Sequence, residues 1–168
     1  MGDPTAELLG AIVNAGKTAW DIVKDNKAQS GASSSFCSAV PKKLKFTELS
    51  GWKTKTGKWK FIRQTGFGNN AVEVELVYSF DYNGSTAKVP GAKFLNNFTC
   101  YAKSTDVSWG YEVNINATVK GNPINVGTLK APIGAVPLLV TASSKTLIRA
   151  NSDTWLLQAR GDGKLVVK

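Results

Sequence analysis

Catalysis has few residues to work with in this sequence. No histidine occurs among its 168 residues, which removes the Ser-His-Asp triad, the Cys-His pair and any His-ligated metal. Paired carboxylates are the remaining acid–base chemistry, yet Glu73 and Glu75 stand two apart on the polar face of an alternating run. No glycine-rich loop ends in Lys-Ser/Thr to cradle a phosphate. Two cysteines, Cys37 and Cys100, are too few for a disulfide framework or a zinc site. The pair could form one bridge in an oxidising compartment, but Cys100 shares an alternating apolar face with Phe94 and Phe98, which favours buried or free thiols. The chain reads as a non-enzyme without metal or cofactor.

What remains is non-covalent chemistry, and it is concentrated. The net charge is +9, and residues 42–63, "KKLKFTELSGWKTKTGKWKFIR", carry eight Lys/Arg against the single acid Glu48. The excess is therefore a patch that attracts anionic partners. Phe46, Trp52, Trp59 and Phe61 interleave with its lysines. Trp52, Lys53, Lys55, Lys58, Trp59 and Lys60 form a candidate lipid- or anion-binding set, with tryptophans at head-group level beside lysines drawn to anionic lipid. The competing reading puts aromatics in the core and lysines in solvent, as strand alternation dictates. Single-stranded nucleic acid, with stacked bases and lysines along phosphates, is the less favoured partner because no RNA-binding signature accompanies the patch.

Two kinds of element must position these groups. Residues 72–82 alternate Val72, Val74, Leu76, Tyr78, Phe80 and Tyr82 with mostly polar neighbours, and 107–119 do the same from Val107 through Trp109 and Tyr111 to Val119. Such one-sided alternation predicts antiparallel sheet with one face on a core. Weaker strand patterns lie at 43–49, 58–63, 93–103, 124–130, 136–142, 145–150, 154–159 and 164–167. Turns are expected at Thr56-Gly57, 66–70, Asn83-Gly84, 121–123 and 161–163. The spacing predicts a mainly β fold, an antiparallel β-sandwich over 36–168.

The beginning of the chain differs. Asp3-Pro4 suits a helix start, and from Thr5 to Asp25 Leu8, Leu9, Ile12, Val13, Ala19, Trp20 and Val23 recur at three- and four-residue steps. That predicts one N-terminal amphipathic helix within 1–29. SGASSS (30–35) follows as a flexible hinge. About 22 helical residues would reach ~33 Å, the thickness of a hydrocarbon core. Glu7, Lys17, Asp21 and Lys24 forbid a lone span, but several copies could line a channel with their polar faces. No signal-peptide pattern or transmembrane run is seen.

A long amphipathic helix, a hinge and a basic, aromatic-rich β-sandwich resemble the layout of actinoporin-type pore-forming cytolysins. "VYSFDYN" (77–83) is similar to that family's Tyr-Asp-Tyr-Asn segment near its lipid site, and Arg160-Gly161-Asp162 to an RGD tripeptide in the family. The family's tryptophan-rich continuation is replaced by Gly84-Ser85-Thr86, and the two cysteines are a further departure. The resemblance implies a secreted toxin that binds phosphocholine head groups through Tyr82 and Tyr78. It also implies insertion of the helix into a target-cell membrane and homo-oligomerisation there. The alternative is a β-sandwich carbohydrate- or nucleic-acid-binding module whose helix stays docked.

Overall fold

The computed structural model describes residues 18–24, 27–28, 37–40, 44–128 and 130–168. Its described residues are mainly strand, in two antiparallel sheets. The larger sheet contains β1 (Thr18–Lys24), β2 (Lys27–Ala28), β7 (Glu112–Val119), β8 (Ile124–Asn125), β9 (Gly134–Lys145), β10 (Ala150–Arg160) and β11 (Leu165–Val167). Its order is β11-β10-β9-β7-β1-β2, with β8 pairing on β9. The smaller sheet is β3 (Cys37–Ala39), β6 (Val89–Val107), β5 (Asn70–Thr86) and β4 (Lys53–Gln64), in that order.

The alternation at 72–82 becomes the middle of β5, with Val72, Val74, Leu76 and Phe80 wholly buried. They share one core with Ile115 of β7, Val136 and Val140 of β9 and Leu157 of β10, so the sheets pack face to face. Phe80 meets the Phe98 ring edge-on at 5.7 Å. Both cysteines are free and buried in this core, and burial pushes each thiol up to about 12.

Several expectations are corrected. Residues 18–24, the latter part of the expected helix with Ala19, Trp20 and Val23, form strand β1, paired antiparallel to β7 from Thr18↔Ala117 to Lys24↔Glu112. Thr18, Trp20, Ile22 and Val23 favour extended backbone, and their pairing covers an otherwise bare edge of β7. No helix long enough to cross a membrane occurs among the described residues. The rest of the expected helix (Leu8, Leu9, Ile12 and Val13) and the 30–35 hinge lie outside the described residues.

The predicted strand 107–119 is broken at 108–111, where Tyr111 N donates to Ser108 O at 3.2 Å and Gly110 takes φ +80°. Residues 145–150 likewise span a hairpin turn, with Thr146 N donating to Arg149 O at 2.7 Å. Residues 43–49 hold a short 3-10 turn at Phe46–Glu48 instead of a strand. Among the described residues of 124–130, only Ile124–Asn125 is strand. Thr56-Gly57 runs straight through β4, its bare backbone covered by the Tyr78 ring. Asn83-Gly84 lies inside β5, with Asn83 at φ +66° and Gly84 against Trp52.

The two ends of the sandwich differ. At one end main-chain bonds tie the sheets together, Asn83 N to Gly161 O at 2.8 Å and Lys93 N to Pro132 O at 2.9 Å, while Gly161 N bonds Gly134 O of β9 at 2.7 Å within the larger sheet. At the other end lie the hairpins β4–β5 and β9–β10 and the β6–β7 connection, which crosses from the smaller sheet to the larger. The register shows it, since Val72 pairs Val107 while Glu112 and Ala150 both pair Lys145.

Candidate functional site

The basic patch is real but largely engaged. Alternation on β4 turns Trp59 and Phe61 toward the core and Lys58 and Lys60 outward. Diagonally across on β5, two positions from the register partner, Glu75 accepts from Lys58 Nζ at 2.9 Å and Glu73 pairs Lys60. Lys103 adds a longer contact to Glu75 at 3.6 Å. Lys55 Nζ instead donates to Gly163 O at 2.9 Å, while Lys53 is exposed. The Lys60 and Lys58 ammonium groups hold Glu73 and Glu75 below the usual carboxylate range by hydrogen bonding and charge.

These carboxylates bind protons more weakly folded than unfolded. Their contribution to stability is therefore present above the unfolded carboxylate pKa and lost as pH falls through the lowered folded values. The melting temperature should hold from pH 7 to about 5 and drop below ~4.3. A scan of E73Q/E75Q, in which that acid-side drop is smaller, checks the assignment.

The aromatic members are split into two places. Trp52 packs on the smaller cluster of Val40, Leu44, Leu49 and Phe94. Trp59 and Tyr78 line an apolar cleft of about 320 Å³ with Trp155, Leu157 and Leu165. Trp59 stands 6.2 Å from Tyr78 and 5.9 Å from Trp155, and its indole Nε1–H is buried without a partner. Tyr82, the other residue of the expected phosphocholine pair, packs over Gly163 and lies 6.1 Å from Phe80. The expected binding set is thus not one constellation.

The Arg-Gly-Asp tripeptide is knitted into the tied end. Arg160 donates to Asp162 through Nε at 3.1 Å and Nη2 at 2.8 Å. Gly161 is buried between the sheets.

The open end carries the feature that pattern reading missed. Its two hairpins and the β6–β7 crossing raise Phe67, Trp109, Leu147 and Ile148 into solvent, 96%, 89%, 101% and 97% exposed. Single exposed apolar residues are ordinary; four bulky ones on neighbouring tips are not. Arg63, Arg149 and Tyr111 lie between these tips, bordering one shared hollow. Arg63 sits over the Phe61 ring at 4.5 Å and bridges to Asp153 of the facing sheet at 2.8 Å. Phe67 was legible as a bulky residue between two turn glycines. Trp109 and Leu147-Ile148 were hidden because apolar residues at alternating or clustered positions read as strand.

Among the described residues no group of three or more His, Cys, Asp or Glu side chains is placed to hold a metal. Comparison with known proteins finds no matching family model, no matching curated protein and no matching solved structure.

Proposed function

We propose that this protein is a non-enzymatic membrane-binding cytolysin: the open end of the sandwich docks on a bilayer, and the leading segment then acts within it. The crown of Phe67, Trp109, Leu147 and Ile148 carries the reading. Separate convex prongs offer a protein partner little complementary surface, but a fluid bilayer closes around them. Burying each such side chain is worth about 1.5–3 kcal/mol at full transfer. Tryptophan suits head-group depth, and a net charge of +9 draws the molecule to anionic surfaces.

The lytic step rests on the sequence of residues 1–17 and the actinoporin-like order of segments. Leu8, Leu9, Ile12 and Val13 supply its apolar side. Lying flat in the interface would let this segment act while residues 18–24 stay paired with β7. Oligomers of the docked, secreted protein would gather several such segments at one place.

Vesicle co-sedimentation and dye release test both steps. The full chain should bind and leak vesicles, and L9E/I12E should still bind while releasing little dye. Absence of binding to phosphatidylcholine, sphingomyelin and anionic vesicles alike would defeat the proposal. A second reading, a soluble binding module, is favoured by the apolar cleft and its unpartnered Trp59 indole. The lining offers little to a sugar, and the Lys58 and Lys60 ion pairs leave less free charge for nucleic acid.

A further inference from the structure

We infer that the hollow between the three open-end connections is a binding site for the phosphate group of a membrane lipid. The inference rests on the membrane-docking reading and adds a ligand to it. The hollow measures about 180 Å³, room for roughly six water molecules or for one phosphate with its ester oxygens. Its border is polar where the tips above it are greasy. Arg63 comes from β4, Arg149 and Thr146 from the β9–β10 turn, Tyr111 from the start of β7 and Asn151 from β10.

Two guanidinium side chains, Arg63 and Arg149, border the hollow. Arg63 donates through Nη2 to Asp153 at 2.8 Å and through Nη1 to the Ile62 carbonyl at 3.3 Å. These bonds hold its partly exposed guanidinium at the wall, a fixed positive charge facing any oxyanion that enters. Arg149 is exposed, and its backbone is fixed by the turn, where its N–H donates to Thr146 Oγ1 at 3.0 Å. The acids nearby are Asp153, already held by Arg63, and Glu112, whose register partner is Lys145.

Position decides the source of the phosphate. A hollow bordered by Ile148, beneath the tips that carry Phe67, Trp109 and Leu147, faces head groups once those side chains enter the bilayer, so the ligand is lipid-borne.

The test compares vesicles of equal surface charge, one set charged by phosphatidate and one by oleate. The full chain should prefer phosphatidate at least tenfold. R149Q should abolish that preference while lowering binding to oleate vesicles about fivefold, the ordinary worth of one basic residue near an anionic surface. K120Q, a lysine outside the hollow, should leave the preference intact. R63K, which keeps the charge but not the fork, should also reduce it. Equal binding to both vesicle types, or a preference that survives R149Q, would overturn the site. Displacement from phosphatidate vesicles by millimolar inorganic phosphate, at ionic strength held with chloride, would overturn the lipid source. If L147S binds as well as the parent chain, the docking reading itself fails, which the phosphate comparison alone would not show.

Discussion

Replacing Leu147 and Ile148 together with serine should weaken partitioning onto anionic vesicles by about 100-fold, roughly 3 kcal/mol. Both side chains are essentially fully exposed in the folded protein, so their removal takes nothing from the core. The melting temperature should therefore stay within the small range of ordinary surface changes. That separation matters, because most substitutions that abolish binding do so by unfolding. Ile124→Ser provides the internal control. Ile124 is also exposed, but it pairs Ala135 at the tied end of the sandwich and should leave partitioning unchanged. Trp109→Ser should add a further loss, reported by co-sedimentation at fixed salt.

Gly161→Ala should produce the largest loss of stability. Gly161 is buried where the sheets are tied, donating to Gly134 O and accepting from Asn83 N. A methyl group there would fall inside the Lys93 carbonyl, which is backbone and cannot rotate away. Relief requires parting the sheets, and with it the main-chain bonds and the Lys55–Gly163 contact. The expected cost is about 4 kcal/mol, the range of severe core disruption, against a total of only about 5–15 kcal/mol for a domain. Urea denaturation measures it. D162N should be milder, since it only loosens the Arg160 fork in the neighbouring turn. If G161A unfolds at the parent's urea midpoint, the tie between the sheets is not where it has been placed.

Both variants bear on how much of the molecule could be read from its residues. The β5 alternation was plain because one face of a long strand lies on the core, and period-two burial leaves a period-two sequence. The leading segment was harder. Leu8, Ile12 and Val13 carry helical spacing, and Trp20 and Val23 extend it, but Thr18, Trp20 and Ile22 also alternate. A seven-residue stretch satisfies both periods, and only pairing with β7 decides between them. Gly57 and Gly84 looked like turns, yet each makes room for an aromatic ring, Tyr78 or Trp52. The lysine patch was visible in sequence, but its neutralisation by Glu73 and Glu75 depends on the β4–β5 register. The crown is the deepest case. Phe67, Trp109 and Leu147 are far apart in sequence, and nothing local says that their loops end side by side.

The orientation of the bound molecule is the central claim, and it can be measured site by site. Both native thiols are buried and raised to about 12, so nitroxide labels on F67C, L147C, K60C and I124C report the introduced positions. Depth is read from collisions with oxygen and a water-soluble relaxant on vesicle-bound protein. Labels at 67 and 147 should lie within the bilayer while those at 60 and 124 remain in water. A label at 60 that enters the bilayer while 147 stays in water would contradict the account.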